Sequence, residues 1–158
     1  MTRDVALIVG GGPGISASCA RLFARSGMHV GVAARNPDKP VLQNLEKMHG
    51  VRRYACDASE PAAVELLFQN VVRDLGSPTL VVHNIDGRVA GIFRKGITEA
   101  DPGMALETLR GSAFSAFLVG QQAARLMLEN EPSANGAKGT IIFTNASAAL
   151  KGFPMSGA

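Results

Sequence analysis

The sequence predicts a doubly wound α/β domain: a parallel sheet of about five strands in the order 3-2-1-4-5, with helices on both faces. Three observations carry this. Short apolar, β-branched runs alternate with segments of helical period, which implies right-handed βαβ crossovers. A turn with four glycines and a proline, within "LIVGGGPGIS", follows the first run directly. And 158 residues without repeat, linker or low-complexity segment fit one domain, residues 1–158.

The elements follow in order. "VALIVG" (Val5–Gly10) is apolar throughout, as a central parallel strand should be. "GISASCARLFARSG" places Ile15, Cys19, Leu22 and Phe23 at helical spacing, with Gly27 as the stop. "MHVGVAAR" (Met28–Arg35) is the second strand, followed by a turn and a short helix ending at Gly50. "VRRYACD" (Val51–Asp57) is the third strand. The next helix has Ser59 as candidate N-cap, Pro61 in its first turn and Gly76 beyond its end. "PTLVVHN" (Pro78–Asn84) is the fourth strand, and a glycine-containing loop leads to a helical region from about Glu99, broken near Pro102-Gly103. A long helix spans roughly Glu107–Glu129, "TIIFTN" (Thr140–Asn145) is the fifth strand, and the tail "ASAALKGFPMSGA" has no further periodic element.

Composition narrows the function. The chain is 46% apolar and 18% charged, with net charge +3, so it reads as globular. Its basic residues are scattered, Tyr54 is the single Tyr and Trp is absent, which argues against a nucleic-acid partner. The longest apolar stretch contains Gln121, Gln122 and Arg125, so a buried helix is expected and no membrane span. Strand residues begin at once after the N-terminus, leaving no room for a targeting segment, and Cys19 and Cys56 read as reduced, buried thiols. A cytoplasmic protein is expected. His29, His49 and His83 are widely spaced, so no metal site is expected.

The glycine turn lies where a doubly wound sheet holds a pyrophosphate, at a helix N-terminus. Two spacings compete. Gly10 and Gly12 fit G-x-G-x-x-G with Ile15 at the third place; Gly10 and Gly14 fit G-x-x-x-G-x-G with Ser16 there. The second strand helps to decide. It ends Ala33, Ala34, Arg35, with no acid for a ribose hydroxyl and a guanidinium where a 2′-phosphate would sit. That favours NADP(H) over NAD(H) and FAD, the alternative being that Arg35 is a solvated strand-end charge.

In order and approximate spacing, "IVGGGPGIS", "AAR", "CDAS", "LVVHN" and "GTIIFT" resemble the short-chain dehydrogenase/reductase family across the whole chain. The resemblance implies a Rossmann-like fold and an oxidoreductase acting on a carbonyl or alcohol substrate. Val9 stands for the family's Thr and Ser16 for its last Gly in Thr-Gly-x-x-x-Gly-Ile-Gly, with Gly10, Gly14 and Ile15 matching. The resemblance makes Asp57 an adenine contact and Asn84 the second Asn of a degraded Asn-Asn-Ala-Gly segment. Each has a plainer reading, as a turn or cap residue. His83 either lines the nicotinamide side or is a hydrogen-bonded rim histidine. The long helix 107–129 pairs two copies in the family, and would equally suit a buried helix in a monomer.

The family chemistry also implies a Ser after the fifth strand, an Asn in the long helix and Tyr-x-x-x-Lys. The Asn place falls on Ser112; the Ser place falls on Ala146, with Ser147 available by a one-residue shift. The Tyr would fall just beyond Ala158, and Tyr54 has no Lys four residues on. A C-terminally truncated chain keeping the cofactor half of a longer enzyme is therefore expected. The alternative is a catalytically inert NADP(H)-binding regulatory or interaction module.

Overall fold

The computed structural model describes residues 4–92 and 95–151. The strands are β1 (Val5–Val9), β2 (His29–Ala34), β3 (Val51–Ala55), β4 (Leu80–His83) and β5 (Thr140–Phe143). All pair in parallel, in the order β3-β2-β1-β4-β5. The chain runs outward from β1 to β3 and then returns to β4 on the other side of β1. This reversal opens a crevice at the carboxyl ends of β1 and β4. Register aligns its rim: Val9 lies opposite both Ala33 and His83, so Gly10, Ala34 and Asn84 leave the sheet at one level.

β1 is buried along its whole length because both faces are covered. Val5, Leu7 and Val9 point into a layer with Val64, Phe68, Val119 and Met127. Ala6 and Ile8 point the other way, onto Ala17, Ala20, Leu42 and Leu45. The period-2 alternation of side chains thus builds two cores from one five-residue strand.

Helix α1 (Ile15–Arg25) ends where Gly27 turns left-handed at φ +88°, its N–H reaching the Ala24 carbonyl. Helix α2 (Pro40–Glu46) stops earlier than the expected Gly50, which instead takes φ +79° just before β3. Helix α3 (Pro61–Asp74) corrects the capping expectation: Glu60 is the N-cap and Pro61 takes the first helical position. The Ser59 hydroxyl is engaged by Asp57 instead. Gly76, at φ +111°, closes that helix by donating to Val71 and Val72.

The long helix also differs from expectation. It starts at Pro102 and runs through α4 (Pro102–Leu109), a π-helical turn (Arg110–Phe114) and α5 (Ser115–Glu129). Pro102-Gly103 begins the helix and does not break it, because a proline at the first position lacks only an N–H that would be unpaired anyway. Asp101 caps the turn by accepting the Met104 N–H at 2.9 Å. After β5 the chain makes one 3₁₀ turn (Ser147–Ala149); the rest of the tail, 152–158, lies outside the described residues. Among the described residues no helix is long and apolar enough to cross a membrane.

Candidate functional site

A cleft of about 540 Å³ opens at the carboxyl ends of the strands, and Gly10, Arg35, Asp57 and Asn84 all line it. The glycine turn forms its floor. Gly10 takes φ +105° and its N–H, like that of Gly11, donates to Ala33. A Cβ on Gly10 would fall on the Asn84 carbonyl, so this glycine is required by the fold itself. Gly11 is a packing glycine: a Cβ there would meet Val32 at 3.1 Å and Leu42 at 3.2 Å. A Cβ on Gly12 or Gly14 would meet nothing within 4 Å. Those two glycines and Ile15, 57% exposed at the first position of α1, face open space beyond the cleft lining. Bare backbone beside an open helix N-terminus fits a pyrophosphate.

Ser16, standing where the family turn has its last Gly, is buried and does structural work. Its hydroxyl donates to the Gly10 carbonyl at 2.7 Å and accepts from Asn84 Nδ2 at 2.7 Å. Asn84 Oδ1 in turn accepts from the Thr144 hydroxyl at 2.8 Å. One chain of hydrogen bonds therefore joins the glycine turn, the end of β4 and the end of β5. The network satisfies the Asn84 side chain at both ends through hydroxyls of two other elements, where the plain turn reading expected local backbone partners, and the residue still faces the cleft.

Asp57 lines the cleft and is a turn residue. Its Oδ1 accepts the Ser59 hydroxyl at 2.7 Å and the Ser59 N–H at 3.0 Å, closing a tight turn. These bonds hold its carboxyl below the usual carboxylate range, aided by the nearby charges of Arg35 and Arg110 and opposed by partial burial. Arg35 is exposed, and among the described residues no hydrogen bond or ion pair ties its side chain. Lys39, at the start of α2, lines the same cleft and is likewise uncommitted.

Beyond the cleft, His83 is buried, 4% exposed, with Nε2 2.9 Å from the Ser115 hydroxyl. The Ser115 hydroxyl sits 2.7 Å from the Gly111 carbonyl and 2.9 Å from that of Ser112, so it caps carbonyls within the π turn. With its one proton directed there, Ser115 accepts from a neutral His83 Nε2–H. Burial lowers the His83 pKa, which favours that neutral form. His83 is thus a hydrogen-bonded histidine at the strand end and does not line the cleft. The loop after β4 passes so close to the π turn that a Cβ on Gly87 would collide with the Gly111 backbone.

The two catalytic candidates lie outside the cleft lining. Ser112 sits in the π turn with its hydroxyl donating to the Thr108 carbonyl at 2.5 Å. Ser147 is exposed at the start of the 3₁₀ turn. Lys39, Thr144 and Ser115 were missed by sequence reasoning. The only signal for Thr144 was its place at the end of "TIIFT"; Ser115 had none, because its histidine partner is 32 residues away. No group of three His, Cys, Asp or Glu gathers among the described residues.

Comparisons with known proteins agree with this fold. The structure is similar to a variant of actinorhodin polyketide ketoreductase with NADPH (TM-score 0.82, 24% identity, 96% of this chain and 56% of that one). It is similar to ElxO with NADP bound (TM-score 0.83, 19% identity, 98% and 60%). A mutant of a Serratia marcescens short-chain dehydrogenase/reductase matches at TM-score 0.75 and 22% identity, over 98% of this chain and 63% of that one. The chain thus spans 56% to 63% of the length of these solved relatives. The family profile described as enoyl-(acyl carrier protein) reductase matches residues 10–158, nearly the whole chain, and with it the chain belongs to the short-chain dehydrogenase/reductase family.

Proposed function

We propose that the chain forms the cofactor-binding part of an oxidoreductase that uses NADP(H) in preference to NAD(H), on a small carbonyl or alcohol substrate. The observation that carries this is the pair of uncommitted cations, Arg35 and Lys39, on a cleft wall where β2 ends without a carboxylate. A 2′-phosphate gains charge-assisted hydrogen bonds there; an unphosphorylated ribose finds no acid to bind its hydroxyls. The open backbone at Gly12, Gly14 and Ile15 receives the pyrophosphate, and Asp57 and Asn84 bound the adenosine and nicotinamide sides of the cleft. When bound, the nicotinamide supplies hydride chemistry; these residues bind and orient it.

Calorimetric titration tests the reading. NADPH should bind more tightly than NADH, and Arg35→Ala should weaken NADPH about tenfold while leaving NADH unchanged. Equal affinity for the two cofactors would overturn it.

Ser112 and Ser147 favour a second reading, an inert NADP(H)-binding module, because one hydroxyl is spent on the helix backbone and neither residue lines the cleft. The two readings separate on NADPH oxidation over a panel of aldehydes and ketones: turnover removes the inert module. We also propose a homo-oligomer paired through the long helix, supported by exposed Leu106, Leu109, Phe114 and Phe117 on it. A cytoplasmic setting suits the free thiols Cys19 and Cys56.

A further inference from the structure

We propose that Arg53, on β3, sets cofactor preference from outside the cleft by holding the β2–α2 loop that carries Lys39 and follows Arg35. This rests on the NADP(H) reading above and names a positioning residue for it.

The Arg53 side chain is 28% exposed and does not line the cleft. Its guanidinium serves three acceptors on two elements. Nε donates to Glu46 Oε2 of α2 at 2.6 Å; Nη1 donates to Asp38 Oδ1 at 2.6 Å and to the Pro37 carbonyl at 3.1 Å. The Arg53 amide also donates to Glu46 Oε1, at 3.4 Å. The loop so gripped is already short of freedom. Pro37 and Pro40 fix two φ angles, and the Asn36 side chain accepts the Asp38 N–H at 2.9 Å. Lys39 stands between the gripped residues and α2, where its carbonyl accepts from Leu42 and Gln43. Leu42 packs at the Gly11 position of the glycine turn, so α2, the loop and the cofactor turn share one packed unit.

Isolated surface ion pairs contribute little. Arg53 differs because a rigid planar fork is held by several acceptors at once, the geometry in which an arginine orders a segment. Without it, the loop keeps its two prolines but loses its attachment to β3. Lys39 then spends less time at the cleft wall, and a 2′-phosphate loses more than any other part of the ligand.

A second effect runs alongside. Asp38 places a carboxylate on the same loop, and Arg53 neutralises it. The two effects oppose each other in Asp38→Ala: loss of positioning weakens 2′-phosphate binding, whereas removal of a nearby negative charge strengthens it.

Calorimetric titration of the chain with 2′,5′-ADP and with 5′-AMP separates them. The two ligands share the adenosine and the 5′-phosphate and differ by the 2′-phosphate alone, so an unchanged affinity for 5′-AMP reports an intact fold in each variant. Arg53→Ala should weaken 2′,5′-ADP about fivefold and leave 5′-AMP unchanged. Asp38→Ala should weaken 2′,5′-ADP by less, because removal of the carboxylate offsets the lost positioning and Arg53 keeps Glu46 and the Pro37 carbonyl. The double variant should be no worse than Arg53→Ala, since the charge left unneutralised there is gone. Arg53→Lys should not restore the preference, since an ammonium cannot reproduce the fork. An unchanged ratio in Arg53→Ala, tighter 2′,5′-ADP in Asp38→Ala, or full rescue by lysine would each overturn the proposal. Arg35→Ala is the separate control: if wild-type chain binds both ligands equally and Arg35→Ala changes nothing, the NADP(H) reading itself fails, and the role of Arg53 with it.

Discussion

Asn84 Nδ2 donates to Ser16 Oγ at 2.7 Å, a bond that spans 68 residues and ties the end of β4 to the first turn of α1. Because Ser16 also donates to the Gly10 carbonyl and Asn84 also accepts from Thr144, the bond is the middle link of a chain across three sheet ends. A glycine at position 16 would satisfy the family turn and leave two of these groups without their partner.

Ser16→Ala should therefore cost about 1–3 kcal/mol of stability, the penalty for stranding partly buried polar groups. Ser16→Gly should cost more, by about 0.5–1 kcal/mol, through backbone entropy in the helix. Urea denaturation of the cofactor-free chain reads both. A Ser16→Ala variant as stable as wild type would remove the network from the account.

Gly10 and Gly12 should behave as opposites although they are neighbours in one motif. Gly10→Ala combines φ +105° with collision against the Asn84 carbonyl, and should lose at least about 3 kcal/mol or fail to fold. Gly12→Ala has open space for its methyl, so it should stay within about 1 kcal/mol of wild type while weakening NADPH. Paired denaturation and titration would distinguish a glycine kept for the fold from one kept for the ligand.

His83 should make stability depend on pH. Burial lowers its folded-state pKa below the ordinary 6.5, with its own backbone contact opposing, while the unfolded chain retains the ordinary value. The unfolded state therefore binds more protons in that window. Stability is complete above 6.5 and is lost as pH falls from there through the lower, folded-state pKa. Its ring faces the Ser115 hydroxyl and lies 6.1 Å, centroid to centroid, from Phe143, neither of which offers a charge to stabilise a cation. Chemical denaturation at pH 7.5 and pH 5.5 should show a smaller difference in His83→Gln than in wild type; equal differences would assign the effect elsewhere. Asp57 acts in a separate, more acidic window: its lowered pKa contributes stability above the ordinary 3.8 that is lost only as pH falls below it.

The long helix leaves Phe117 59% exposed, stacked 6.5 Å from the Phe114 ring. Phe117→Asp should shift a dimer toward monomer in sedimentation velocity without lowering NADPH affinity, because the residue is away from the cleft lining. A wild-type chain that sediments as a monomer at high concentration would exclude pairing through this face.

Much of the architecture was legible because its signals are local. β1 reads as a buried central strand from five consecutive apolar residues, and Gly27 and Gly76 mark helix ends with the left-handed backbone that only glycine adopts cheaply. The errors were also local. Pro102-Gly103 reads equally well as a helix break or a helix start, and Asp101 accepting the Met104 N–H decided for the start. Ser59 had the residue type of an N-cap, but Asp57, two residues earlier, engaged its hydroxyl first.

By itself the sequence determined most element types and the residues at the strand ends, since periodicity and turn chemistry depend on near neighbours. One-handed crossovers limit the sheet to a few orders, and the family resemblance selects 3-2-1-4-5 among them. Tertiary structure alone decided what those residues touch. Ser16 with Asn84, His83 with Ser115, and Arg53 with Asp38 and Glu46 each meet only because strand register and helix packing bring separate elements to one place. Such contacts vary by tenths of an ångström with packing, while a pattern of residue types is blind to distance. The cleft therefore acquired Lys39 and the loop behind it from the fold, although Arg35 could be read from the end of a strand.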